Sequence, residues 1–198
     1  DLMTHTSGLP PYAPVSELQE KYGSPNPKGL MEYISTCKRE FKPQTKFQYS
    51  CLNYITLQHI IETITGQSLR DFAKENIFDI LGMQYTDYLP TIQQQDGKWI
   101  NTVACPWMDR IAPTEKQKDG SVLCGQVHDP LARILNGGIS GNAGIFSNAN
   151  DIGILAAALL NGGEYNGRRI LSPLGVKTMC TVPRELTAFG RTPGWDIF

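Results

Sequence analysis

The chain has no excess of charge of either sign: 18 Lys and Arg stand against 19 Asp and Glu, a formal net charge of -1 over 198 residues. A nucleic-acid backbone or an anionic membrane surface is held by clustered cations and the counterions they release. This composition excludes nucleic acid as a partner. Long apolar runs are missing as well. The longest, Ile152–Leu160, is interrupted at Gly153 and falls far short of the roughly 20 residues of a membrane span, so no membrane span is expected. Cysteines number five, Cys37, Cys51, Cys105, Cys124 and Cys180, with no Cys-x-x-Cys among them. Neither a disulfide framework nor a zinc site is indicated, and most of them read as small buried hydrophobes. His5, His59 and His128 lie too far apart for a metal motif. No metal and no cofactor are expected. There is no fixed-period repeat and no low-complexity tract, which points to one unit spanning residues 1–198.

What is present is a 40% hydrophobic complement, enough for a packed core, and 19 glycines and 13 prolines, which imply long irregular connections. Periodicity gives the helices. Ser50–Thr65 carries Leu52, Ile55, Ile60 and Ile64, with Leu57 and Ile61, as a broad apolar stripe closed by Gly66. Ser68 with Asp71 resembles a capping box that opens a second helix running to Gly82. Pro27–Lys38, Asn150–Asn161 and Pro173–Cys180 show helical spacing, Val15–Tyr22 forms a shorter helix, and Pro130–Leu135 is weakly helical. Between them Asp87–Gln126 holds turn residues and little periodicity, with Lys98–Ile100 as one short strand. The expected fold class is mainly α, with little or no sheet.

Several local motifs are decoys. Gly137–Gly144 holds four glycines but follows neither phosphate-loop spacing. Ser35-Thr36-Cys37-Lys38 matches Ser-x-x-Lys formally, yet Ser35 falls in the last turns of its helix, whereas a nucleophile gains from the free amides and dipole of a helix N-terminus. Lys177-Thr178-Met179 has Met where a glycine would let substrate lie against a strand. Cys51 with His59 or His128 would need an oriented base that the sequence does not place.

Longer phrases carry more. Leu2-Met3-Thr4-His5-Thr6-Ser7-Gly8-Leu9-Pro10, Phe47-Gln48-Tyr49-Ser50-Cys51-Leu52-Asn53-Tyr54 with Ile60-Ile61-Glu62 and Thr65-Gly66, and Asn76-Ile77-Phe78 with Leu81-Gly82-Met83 follow one another in order. So do Ile111-Ala112-Pro113-Thr114-Glu115, Val127-His128-Asp129 and Gly137-Gly138 with Ala143-Gly144-Ile145-Phe146-Ser147 and Asp151. Together they resemble the class C β-lactamase-like serine hydrolases, a family that includes penicillin-binding carboxypeptidases and esterases.

The resemblance implies a catalytic Tyr49, which in the family helps move the proton during acyl transfer. A free phenol is only about one part in a thousand ionised at pH 7, so acting as a base takes roughly 4 kcal/mol of help from nearby positive charge. It further implies substrate contacts at Cys51, Gly144, Ile145 and Phe146, and an ester or amide substrate that is a small molecule or of peptidoglycan type. A bacterial cell-envelope or periplasmic location goes with it. Cys51 stands where the family has Asn or Asp, replacing an amide with a weakly hydrogen-bonding thiol, and Asn142 stands where a subgroup has His. The Ser-x-x-Lys helix and the Lys/His-Thr-Gly strand fall outside the chain, so the ends at Asp1 and Phe198 read as cuts through a larger hydrolase. The fragment is expected to be its helical subdomain, inactive alone and completed by the missing remainder. A non-catalytic ligand- or peptidoglycan-binding module on the same scaffold stays open.

Overall fold

The computed structural model describes residues 1–197; Phe198, one of the two expected cuts, lies outside them. The helices are α1 (Val15–Tyr22), α2 (Pro27–Thr36), α3 (Cys51–Thr65), α4 (Leu69–Ala73), α5 (Asp79–Leu81), α6 (Ala149–Leu160) and α7 (Pro173–Met179). A π-helical turn, Lys74–Phe78, joins α4 to α5 without a break, and another spans Leu131–Leu135. Their starts follow from local chemistry. Asn26 Oδ1 accepts from Gly29 N at 2.8 Å with Pro27 at the first helical position, and Ser68 Oγ accepts from Asp71 N at 3.1 Å. Gly66 and Gly82 end their helices in the left-handed conformation.

The expectation of a mainly α fold with little or no sheet is wrong. The chain is 41% helical and 11% strand, an α+β arrangement. Among the described residues eight short strands form four two-stranded antiparallel sheets: β1 (Asp87–Tyr88) with β6 (Ile145–Phe146), β2 (Thr91–Gln93) with β3 (Trp99–Asn101), β4 (Glu115–Lys116) with β5 (Val122–Leu123), and β7 (Glu164–Tyr165) with β8 (Arg168–Arg169). Three are hairpins whose turns hold Asp96-Gly97, Asp119-Gly120 and Asn166-Gly167. At the last, both φ angles are positive, 48° and 73°, as a two-residue hairpin turn requires. Strands of two or three residues are too short to show the period-2 alternation that marks a strand.

Two apolar cores result. Leu9, Leu18, Leu30, Ile34, Leu52, Ile55, Leu131 and Leu135 pack α1, α2 and the first turns of α3 against the Leu131–Leu135 turn. Leu69, Phe78, Leu81, Met83, Tyr88 and Ala158 pack α4 and α5 against β1 and α6. The stripe expected along all of α3 is buried only over its first half: Ile64 is 79% exposed. On α6, Leu160 is 89% exposed, so both helices present apolar side chains that no described residue covers. The cysteines are likewise less buried than expected, Cys124 and Cys180 being exposed and the others half-buried. Among the described residues no helix is long and apolar enough to cross a membrane.

The Gly137–Gly144 segment is a packing device. A Cβ at Gly141 would lie 2.0 Å from the Tyr54 carbonyl oxygen of α3, and one at Gly144 (φ +122°) would lie 2.6 Å from Gly138 O. Backbone meets backbone here, which only glycine allows. Gly153, inside α6, is different: a Cβ placed there would meet nothing within 4 Å. Gly141→Ala is therefore expected to destabilise by about 1–3 kcal/mol through overpacking, while Gly153→Ala stabilises by roughly 0.5–1 kcal/mol through helix propensity. Thermal melts of the two variants should shift in opposite directions.

Candidate active site

The first residues of the chain fold onto the N-terminus of α3. His5 sits at φ +54°, a left-handed conformation for which His is one of the better-suited side chains, and its ring is 1% exposed. Its Nδ1 accepts from Ser50 N at 3.1 Å and lies 3.0 Å from Asn53 Nδ2. Asn53 Oδ1 accepts from Ser7 Oγ at 2.5 Å, which leaves Nδ2 as the donor to His5. The imidazole therefore carries its proton on Nε2. Ser50 Oγ donates to Pro10 O at 2.5 Å, Cys51 N to Pro11 O at 3.0 Å and Gln48 N to His5 O at 3.0 Å. These bonds fix residues 47–54 against residues 5–11.

Tyr49 rests on this clamp. Its ring lies 4.4 Å from the His5 ring, centroid to centroid, and it is 55% exposed. Burial of the phenol raises its pKa, the Cys51, Asp129 and Tyr54 groups raise it further, and Arg191 alone among the named neighbours lowers it. The phenol is thus a neutral group at pH 7 within this chain. Arg191 is buried, pairs with Asp196 and stacks over Phe47 at 5.7 Å, and its Nε has no hydrogen-bond partner among the described residues.

Cys51 follows Tyr49 at the first position of α3. Burial raises its thiol pKa, the Asp129 carboxylate raises it further, and a hydrogen bond with the Asn142 side chain opposes them. Cys51 and Asn142, the two positions expected to depart from the family's phrases, are thus near neighbours. Asn142 is held from behind: Asn136 Nδ2 donates to Ser140 Oγ at 2.7 Å, which donates to Asn142 Oδ1 at 2.7 Å. Gln58 Oε1 accepts from Gly141 N at 3.0 Å and ties the same loop to α3. Asp129 completes the group, accepting from Tyr12 Oη at 3.3 Å and from Ala132 N at 2.9 Å. The Tyr12 phenol is pushed up to about 12, first by burial and then by Asp129.

The fold thus brings Tyr49 and Cys51 together with Asn142 and Asp129. The other expected contact residues diverge. Gly144 is accounted for by its close approach to Gly138, and Ile145 and Phe146 pair with Tyr88 and Asp87 in β6 and β1. Phe146 lines a separate cleft. Ser35 lies in the last turn of α2 with Oγ donating to Glu32 O at 2.8 Å, and Thr178 of α7 donates to Leu174 O at 2.9 Å; both hydroxyls are spent on their own helices. His5, Asn53, Asp129 and Arg191 have places in the site that residue-type and spacing arguments did not assign them.

With this geometry in view, comparison with known proteins fixes the family. The family profile described as Beta-lactamase matches residues 1–198. The chain belongs to that family. It is 32% identical over 211 residues to the Escherichia coli (strain K12) protein named "Putative D-alanyl-D-alanine carboxypeptidase", a match that takes in 100% of this chain and 46% of that protein. This Beta-lactamase-family chain therefore spans about half the length of the curated relatives it matches. Among solved structures it is similar to the D-amino acid amidase from Ochrobactrum anthropi SV3, with a TM-score of 0.61 and 22% identity over 90% of this chain and 46% of that one. It is also similar to the penicillin binding protein from Bacillus halodurans, with a TM-score of 0.54 and 19% identity over 91% of this chain and 49% of that one. These structural likenesses show the shared fold.

The buried His5 gives the clamp a pH dependence. Burial, and then Arg191, holds the imidazole at about 4 against an ordinary 6.5, with Asp196 opposing. Between those values the unfolded chain binds the proton and the folded chain does not, so stability rises with pH across this window. The penalty is absent above about pH 6.5, grows as pH falls, and reaches roughly 3 kcal/mol near pH 4. Urea midpoints measured from pH 7 to 4.5 should fall, and His5→Asn, which tolerates the left-handed backbone and does not titrate, should flatten that fall.

Proposed function

We propose that this chain forms the Tyr49 side of the active site of a serine hydrolase that works through an acyl-enzyme, acting on amide or ester substrates of the D-alanyl-D-alanine or D-amino-acid type in the bacterial envelope. The observation that carries the reading is the Tyr49 phenol. It is exposed at the N-terminus of α3 on a ring platform, and it has hydrogen-bonded neighbours that hold the backbone on both sides of it. A proton-transfer group needs to be both rigid and reachable.

In this reading the nucleophile and its cationic partner come from the part of the relatives' length that this chain does not span. Support comes from the serines near Tyr49: Ser50 is fully buried with its hydroxyl on Pro10 O, and Ser7 donates to Asn53. Neither has a base. Support comes as well from the electrostatics, because within this chain the balance of neighbours holds the phenol neutral and a further cation is required before it can accept a proton. Residues 1–198 then act as one unit of a larger hydrolase and are inactive alone. The raised Tyr49 and Cys51 pKa values equally suit a binding module without chemistry, and that is the second reading.

Labelled penicillin incubated with the 198-residue chain is expected to leave no covalent adduct by intact mass; stoichiometric labelling of any serine would contradict the proposal. In the full-length protein Tyr49→Phe should lower kcat/KM on a D-alanyl-D-alanine peptide or an activated ester by about 100- to 10,000-fold, with an unchanged circular dichroism spectrum because the phenol is exposed. A loss of less than about threefold, against that range, would leave the binding-module reading standing.

A further inference from the structure

One cleft outside the Tyr49 group has the composition of a ligand site. It has a volume of about 270 Å³ and is lined by Tyr85, Trp107, Arg110, Phe146, Ser147 and Asn148, among others. This is room for one group of side-chain size. Three separate chain segments meet there: the turn after α5, the stretch around Met108–Arg110, and β6 with the residues that follow it to cap α6. Phe146 is brought in by its pairing with Asp87, and Ser147 Oγ is 2.7 Å from Thr86 Oγ1, so the wall opposite Arg110 is tied to the second core.

Arg110 supplies the charge. Its guanidinium stacks over the Tyr85 ring at 5.3 Å, it is exposed, and among the described residues no carboxylate lies within salt-bridge distance of it. An arginine is always protonated, and its planar fork matches a carboxylate. The nearest buried acid of this region, Asp151, is 1% exposed and already accepts from Tyr85 N at 2.7 Å and Thr86 Oγ1 at 2.8 Å. It is therefore sealed away from a ligand in the cleft. Three aromatic rings around one uncompensated cation select for a carboxylate carried on an apolar or aromatic body.

The cleft is linked to the Tyr49 group by β6. Asn142, which faces Cys51, and Phe146, which lines the cleft, are separated by four residues, at most about 14 Å even if fully extended. That is the reach of a short peptide. We infer that the Trp107–Arg110–Phe146 cleft is a distal substrate subsite that takes a carboxylate-bearing apolar or aromatic group while the reacting bond lies at Tyr49. The inference rests on the hydrolase reading for the word substrate and on the cleft alone for binding.

Binding is therefore tested without turnover. In the full-length protein at neutral pH, tryptophan fluorescence is titrated with N-acetyl-D-phenylalanine and with its uncharged amide, using Trp107→Phe to identify the Trp107 signal among those of the other tryptophans. Saturable quenching by the acid is expected, at least tenfold weaker with the amide and at least tenfold weaker with Arg110→Gln, while Tyr49→Phe binds the acid as the parent does. Equal binding of acid and amide, or an Arg110→Gln variant that binds as before, overturns the subsite. Failure of the hydrolase reading has a different signature: the acid still binds at Arg110, and Tyr49→Phe changes no hydrolysis.

Discussion

A single buried imidazole organises the molecule. His5 turns the chain back on itself in a left-handed conformation, and its Nδ1 accepts from the backbone of Ser50 and the side chain of Asn53. Either donor left without an acceptor inside this site would cost about 1–3 kcal/mol, so position and protonation of the ring are fixed together. Everything on the surface above inherits that order. Tyr49 lies over the ring, Ser50 is pinned to Pro10, and the first turn of α3 begins at a defined angle against the core formed by Leu9, Leu52 and Leu131.

The second constraint comes from the opposite side of α3. The Gly137–Gly144 segment approaches the helix so closely that Tyr54 O occupies the space of any side chain at Gly141, and Gln58 and Asn136 satisfy its polar groups. These two arrangements, one polar and one steric, present Asn142 to Cys51. A thiol in place of an amide at position 51 would leave the site with a weak hydrogen-bonding group; the amide of Asn142 stands beside it, oriented through Ser140. The polar character of this corner is thus carried by the loop rather than by the helix.

Parts of this are legible in the sequence because they are local. Val15–Tyr22 has the limits its spacing predicts, and the hydroxyl of Ser68 meets both the backbone and the side chain of Asp71. The order of the long phrases points to the right family. The sheets escape a reading by periodicity, although Asp96-Gly97, Asp119-Gly120 and Asn166-Gly167 are strong hairpin signals, because a search for period-2 runs finds nothing in strands of two residues. The β1–β6 pair has no local signal at all, since its strands are joined only by the tertiary fold. The role of His5 is hidden for a related reason: its partners Ser50 and Asn53 are remote in sequence, and a lone histidine among threonines carries no spacing signal. Ile64 shows the converse, a position in a correct helical pattern that is left 79% exposed.

The contact between Gly141 and Tyr54 has an evolutionary consequence. Where backbone lies on backbone, any residue larger than glycine pushes the two segments apart at a cost of about 1–3 kcal/mol, so substitution at that position is disfavoured. The Asn142 and Cys51 side chains are not among the nearest atoms that a Cβ at Gly141 would meet. A change in either side chain therefore meets the other at a separation set by a backbone contact rather than by the pair itself, so that one substitution sets the terms on which the other is accepted.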